Sequence, residues 1–224
     1  GLISPRSVVR SHFPLPLRSV LPKLMLNSSD HVDLMLEFLS DRDNPTILEF
    51  GVERGYSTKK FLNFAESNGG KVFSVDINDC SKISNSTKWK FLQSNDLKID
   101  YIIKNFPEIK NEGVDLIYID SYHEDKHVQK LISLYFKYVK KSGAIFIDDV
   151  DSFPWREKKN IWNSIVWDLT LTAVKEFYYN NNSICSLKVF FDKSENGLAM
   201  IHKKTDFGSE PNTIKKIWNY NIIF

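Results

Sequence analysis

Two short runs hold the residues best suited to acid–base or metal chemistry: Asp120-Ser121-Tyr122-His123 and Ile147-Asp148-Asp149-Val150. Carboxylates gathered at one place repel one another unless a cation joins them. Oxygen-only ligation favours a hard ion, Mg²⁺, Mn²⁺ or Ca²⁺, over zinc. Asp120, Asp148 and Asp149 are therefore the candidate metal ligands. Adjacent strand residues point to opposite faces, so Asp148 and Asp149 converge only if the backbone turns there. Otherwise one of them caps the next segment or flanks a bound cofactor. His123 is the candidate base, since an imidazole with a pKa near ~6.5 accepts a proton at neutral pH. Its alternative is a polar residue at a helix start.

A second constellation lies upstream, in Glu49-Phe50-Gly51-Val52-Glu53-Arg54-Gly55-Tyr56-Ser57. Gly51 and Gly55 allow a tight turn and a close approach of backbone to ligand. A dinucleotide fingerprint would place a glycine at position 53, where Glu53 stands. The charge of Glu49 repels a pyrophosphate but suits a cationic ligand. Asp76 follows Gly51 at roughly the spacing from which an acid reaches a ribose hydroxyl. Glycines alone would mean only a strand-to-helix turn; loop, acid and strand context together point to a nucleotide-like ligand.

One motif misleads. His123-Glu124-Asp125-Lys126-His127 matches H-E-x-x-H, which in zinc proteases needs both histidines on one preformed helix. Here the first histidine comes just after an apolar strand, and His127 is expected to be a solvated helical residue.

These residues need elements to position them. Ser28, Ser29 and Asp30 are N-cap candidates for a helix carrying Val32, Met35, Leu36 and Leu39. Strands are predicted at 46–50, 71–77, 89–93, 114–120 and 144–148. Helices are predicted from about Ser57 to Gly69-Gly70, over 101–106, and from Val128 through Val139 to a stop at Gly143. A helix over 156–171 follows, with Ile161, Ile165, Val166 and Leu169 inward; Asn180-Asn181-Asn182 reads as a loop. Strands at 186–191 and 198–202, joined through Ser194-Glu195-Asn196-Gly197, form an antiparallel hairpin. A last helix is expected from Asn212, with Ile214, Ile217 and Trp218. Alternating strands and helices imply an α/β fold with a mostly parallel sheet. Ligands then bind outside the carboxyl ends of the strands. Glu49, Asp76, Ser94 to Asp96, Asp120 and Asp148-Asp149 all fall at such ends.

Here the chain resembles a known family. Glu49 to Ser57 is similar to the acid-x-G-x-x-x-G-x-S loop of class I S-adenosylmethionine (SAM)-dependent methyltransferases, and the likeness extends over about residues 30 to 205. SAM is a cation without phosphate, as the loop asks. The resemblance implies a Rossmann-like, seven-stranded sheet with helices on both faces and a reversed last strand. It implies cofactor contacts from Glu49, Gly51, Val52, Gly55 and Ser57, a ribose contact from Asp76, and adenine contacts from Ser94 and Asp96, with Asp120 beside the cofactor. The Asp120-x-x-His123 and Asp148-Asp149 pairs resemble those of metal-dependent O-methyltransferases. The nearest branch is the sugar-modifying enzymes of macrolide biosynthesis; catechol-type relatives carry a lysine at the His123 position. That implies a divalent ion, His123 as base and a vicinal-diol acceptor in a small molecule or glycan. A metal-independent methyltransferase and a non-catalytic SAM-binding module are the rivals.

The remaining features narrow the class. The 224 residues suit one α/β domain over 28–224, preceded by a proline-bearing arm or lid over 1–27 with Pro5, Pro14, Pro16 and Pro22. Net charge is +2, which gives no case for nucleic acid. Cys80 and Cys185 are too few for a disulfide framework. No apolar run approaches the ~20 residues that span a bilayer. No secretory core is evident, so a cytoplasmic protein is expected. Phe153 and Trp155 either stack on an acceptor or pack beneath the next helix. Trp218, Tyr220 and Phe224 fit dimer contacts or a docked terminal helix.

Overall fold

The computed structural model describes residues 31–150, 161–190 and 196–217, with the backbone alone for 161–167. The proline-bearing arm, the Ser28 to Asp30 caps, Asp151 to Arg156 with Phe153 and Trp155, and Trp218, Tyr220 and Phe224 lie outside the described residues.

Strands β1 (Thr46–Phe50), β2 (Lys71–Asp76), β3 (Trp89–Gln93), β4 (Val114–Ile119), β5 (Val139–Ile147), β6 (Cys185–Phe190) and β7 (Leu198–Lys203) form one seven-stranded sheet in the order β3-β2-β1-β4-β5-β7-β6. The first five run parallel. β7 enters antiparallel between β5 and β6. The order reverses at β1, whose neighbours β2 and β4 leave toward opposite edges. Such a switch point opens a crevice at the strand ends.

Alternation along each strand divides the core in two. Ile47, Val72, Leu116 and Phe146 face α1 (His31–Leu39) and α2 (Tyr56–Asn68), packing on Met35, Phe61 and Leu62. Leu48, Phe73, Ile117 and Ile145 face the other layer. That layer comprises α3 (Ile99–Asn105), α4 (Pro107–Glu112), α5 (Asp125–Tyr135) and α6 (Ile161–Asn181). Ile102, Leu131, Ile132, Val174 and Phe177 close it. The helices thus cover both faces, as buried parallel strands require.

Three element boundaries differ from expectation. α5 ends at Tyr135, a 3₁₀ turn spans Phe136–Tyr138, and β5 begins at Val139. Val139 continues the helical spacing of the apolar face, yet it pairs with Val114. Gly143 is a strand residue; a Cβ there would lie 2.9 Å from the Asp115 carbonyl oxygen. Asn180 and Asn181 are the last helical residues of α6, not loop. Their side chains bind the tail: Asn212 N donates to Asn181 Oδ1 at 2.7 Å and Lys215 N to Asn180 Oδ1 at 3.2 Å. With its backbone bonded outward, the described tail is not helical. No helix among the described residues is long and apolar enough to cross a membrane.

Candidate active site

At the carboxyl ends of the parallel strands a cleft encloses about 1110 Å³. Gly51, Val52, Ser57, Asp76, Ser94, Asp96, Asp120, His123, Asp148 and Asp149 all line it. Glu49 and Gly55 do not.

The loop after β1 is shaped by close approach. Gly51 has φ +93°, and a Cβ there would fall 2.0 Å from the Asp120 carbonyl oxygen. Gly55 has φ +76° and abuts Ile83, whose Cγ2 would stand 2.3 Å from an added Cβ. Glu53 adopts φ 47° without being glycine. Asp76 braces this loop, Oδ2 accepting from Val52 N at 2.7 Å and Glu53 N at 3.1 Å. Burial opposes its ionised form, but these backbone donors and that of Asn78 outweigh burial and lower its pKa.

Glu49 lies beneath the loop, fully buried. Its carboxylate accepts from Ser57 Oγ (2.6 Å), Thr58 Oγ1 (2.7 Å) and Ser74 Oγ (2.6 Å). Burial raises its pKa to about 7, against the pull of those hydroxyls. Strand alternation turns the side chain under α2, so Glu49 lies behind the cleft wall. Ser57, whose hydroxyl is given to Glu49, shares this supporting role.

At the β3 end, Asp96 Oδ2 accepts from Ser121 Oγ at 2.7 Å and meets His127 Nε2 at 3.0 Å. The His127 side chain is only 11% exposed, so it is no solvated helical residue. Packing against Tyr122 and pairing with Asp96 override the expectation.

At the ends of β4 and β5 the other acids meet. Asp149 has φ 52°. Aspartate tolerates that left-handed turn better than most residues, and Asp149 N donates to Asp148 Oδ1 at 2.9 Å. His123 Nε2 lies 3.3 Å from Asp120 Oδ1 and 3.8 Å from Asp149 Oδ2. His123 Nδ1 is buried with no partner among the described residues. Burial disfavours the charged imidazole, but the Asp120 bond and the charges of Asp149, Asp120 and Asp148 raise its pKa. Asp120 is itself pushed up by burial and by Asp148 and Asp149, although His123 opposes this. Asp148 is held differently. Its Oδ1 pairs with His31 Nδ1 at 2.8 Å, and its Oδ2 accepts from the Tyr118 hydroxyl at 2.5 Å. The His31 and Tyr118 bonds overcome burial and lower its pKa. Asn196, from the β6–β7 connection, donates to Asp149 Oδ1.

The Tyr118 hydroxyl also lies 3.2 Å from Asp120 Oδ2. Sequence reasoning passed over Tyr118, although its place two residues before Asp120 puts both on one face of β4. His31 offered no such signal, because only folding brings it to a residue 117 positions away. Among the described residues no three His, Cys, Asp or Glu groups already encircle a common point.

Residues 48–150 match the family model described as a methyltransferase domain. By that match the stretch from β1 through the end of β5 is similar to a methyltransferase domain. Solved structures share its fold. A Staphylococcus aureus protein provisionally named a caffeoyl-CoA O-methyltransferase is 16% identical, with TM-score 0.56 over 77% of this chain and 82% of that one. MycE, a methyltransferase of the mycinamycin biosynthetic pathway solved with Mg and S-adenosylhomocysteine, is 17% identical, with TM-score 0.56. That match covers 81% of this chain and 52% of MycE, so this chain spans about half the MycE length. The cofactor-bound protein Rv0187 from MTB is 14% identical, with TM-score 0.57 over 83% and 84% of the two chains. No curated protein matches by sequence.

Proposed function

We propose that this protein methylates a hydroxyl oxygen of an uncharged polyol, a sugar or other vicinal diol, with His123 as base and a divalent ion beside it. The observation that carries the reading is the position of His123 Nε2 in the cleft, 3.3 Å from Asp120 and 3.8 Å from Asp149.

The residues fit the two absent groups by their chemistry. The cleft lining is rich in carboxylates, and Arg54 is the one arginine or lysine in it among the described residues. Such a lining suits the sulfonium and ammonium of SAM and disfavours an anionic acceptor. Gly51 and Val52 offer their backbone to the methionine portion, and Asp76, through the loop it braces, orders the ribose end. Asp120, Asp149 and Asp148 form an all-oxygen donor set for Mg²⁺, with Mn²⁺ or Ca²⁺ as alternatives. Burial first, and then the charges of Asp148 and Asp149, raise the Asp120 pKa, and a bound cation would relieve the repulsion. MycE, solved with Mg, S-adenosylhomocysteine and mycinamycin VI, supports this reading.

When bound, SAM supplies an electrophilic methyl carbon, and a divalent ion supplies Lewis acidity that lowers the pKa of a neighbouring hydroxyl. His123 accepts that hydroxyl's proton. The proton arrives at Nε2, beside Asp120 and Asp149, whose charges stabilise the imidazolium that forms, while Nδ1 is turned inward and buried. Tyr118 and His31 keep Asp148 in place from behind. Positioning of the acceptor oxygen against the methyl carbon then supplies much of the rate.

Metal-independent transfer is the second reading, favoured by the bonds that occupy both Asp148 oxygens. His123→Ala tests what the two readings share. Turnover is expected to fall roughly 10²–10⁴-fold with SAM affinity near wild type. Undiminished turnover would remove His123 as base.

A further inference from the structure

Asp149 is the one cleft acid whose placement the strand ladder does not dictate. β5 and β7 pair residue for residue as far as Ile147 with Ala199, and the same register carried on would set Asp149 opposite Gly197. Instead Val150 N donates to the Gly197 carbonyl at 3.0 Å. Asp149 and Val150 thus share one partner, and Asp149, with φ 52°, is the extra residue of a bulge. Bulges of this kind re-aim side chains and gather beside active sites. Asn196, the residue before Gly197, meets the side chain so placed: its Nδ2 donates to Asp149 Oδ1, and Asp149 Oδ2 lies 3.8 Å from His123 Nε2. Asn196 itself lines the cleft.

A carboxylate only accepts hydrogen bonds, so the amide must turn its nitrogen toward it, and that donor competes with a cation for the same oxygen. With Oδ1 engaged by Asn196, Asp149 is held from gripping an ion through both oxygens. Asp148 is engaged in the same way, Oδ1 by His31 Nδ1 and Asp149 N, Oδ2 by the Tyr118 hydroxyl. Denticity separates the hard ions. Ca²⁺ collects about six to eight oxygens and often takes both from one carboxylate, whereas Mg²⁺ keeps several waters and uses one or two carboxylates beside them.

We propose that Asn196 is a specificity-determining residue: its amide holds one oxygen of Asp149 and so makes the acid cluster prefer Mg²⁺ to Ca²⁺. The inference rests on the metal reading above and adds the residue that chooses between the ions. Selection works by withholding an oxygen from the larger ion rather than by adding one for the smaller. The choice is made by the β6–β7 connection, outside the parallel strand ends that supply the acids.

The test is calorimetric titration of Mg²⁺ and of Ca²⁺ into the full chain and into Asn196→Ala, Asn196→Asp and Asn196→Gln, with a melting temperature for each. Wild type is expected to bind Mg²⁺ more tightly than Ca²⁺. Asn196→Ala removes the donor from Oδ1 and is expected to move the ratio of the two affinities toward Ca²⁺ about tenfold. Asn196→Asp, matched in size, puts an acceptor where the donor stood and is expected to move the ratio at least as far; it carries the test if Asn196→Ala melts lower. Asn196→Gln, whose amide can still donate, keeps the wild-type preference. An unchanged ratio in Asn196→Ala and Asn196→Asp, whether or not both affinities fall, makes Asn196 merely structural and overturns the proposal. A wild-type preference for Ca²⁺ overturns it and leaves the metal reading standing. Failure of wild type to bind either ion takes down both.

Discussion

Glu49 shows how a site residue can act from below the surface. Three hydroxyls donate to its buried carboxylate, and burial still lifts its pKa from 4.5 to about 7. Below the lower value, folded and unfolded chains both carry the proton. Between the two values the unfolded chain loses it first, so stability falls as pH rises, and above the higher value the full loss is present. Glu49→Gln removes this titration. The melting temperature of wild type is therefore expected to drop relative to Glu49→Gln between about pH 5 and 8, by an amount corresponding to on the order of 3 kcal/mol. Parallel melting curves across that range would show that Glu49 carries no such linkage. The same residue marks a limit of sequence reading. Its type and place in the loop were legible; its direction, under α2 and away from the cleft, depended on hydroxyls of Ser57, Thr58 and Ser74 that nothing in the motif singled out. Tyr118 is the converse, visible through strand alternation but hidden by its apolar neighbours in Val-Asp-Leu-Ile-Tyr-Ile-Asp.

At the scale of elements, the transition from α5 to β5 depends on a lysine from β7. Lys203 is fully buried, and its Nζ reaches the carbonyls of Phe136 (3.0 Å), Lys137 (3.4 Å) and Ser209 (3.5 Å) while lying over the Phe136 ring. Burial lowers its pKa to about 8. The carbonyls it meets belong to the 3₁₀ turn and the tail; those of Phe136 and Lys137 also accept from Val139 N and Gly208 N, so the ammonium adds a second donor to each. Lys203→Met keeps the aliphatic bulk and removes the donor. Denaturant unfolding is expected to show a loss of about 1–3 kcal/mol with unchanged m-value. Unchanged or increased stability would mean that desolvating the ammonium outweighs its bonds. Strands and helices in the parallel half were legible because burial on both sheet faces writes continuous apolar runs. The α5–β5 junction was not. Val139 obeys the helical period by chance, and only its pairing with Val114 assigns it to a strand. The tail from Asn212 likewise reads as amphipathic, but Asn180 and Asn181 take up its backbone groups instead.

Across the whole molecule, the sheet edge acts as the assembling device. Parallel strands β1 to β5 all deliver their carboxyl ends to one crevice, which gathers Asp76, Asp96, Asp120, Asp148 and Asp149 from distant stretches of chain. α1 adds His31 and the β6–β7 connection adds Asn196. The fold class and most cleft residues could be read from sequence because acids at strand ends recur in register. The partners contributed by α1 and the last hairpin could not, since no local pattern links them to the acids they bind. The resulting cleft is an anionic trough suited to a cationic cofactor and an uncharged acceptor.

The most direct test of that account is calorimetric titration of SAM into the protein, first in EDTA and then with Mg²⁺. Mg²⁺ binding is followed separately in wild type and Asp149→Ala. The account predicts micromolar SAM binding together with a Mg²⁺ site that Asp149→Ala abolishes. SAM binding without any Mg²⁺ site would contradict the metal assignment and leave His123 to act alone, and absence of SAM binding would contradict the account as a whole.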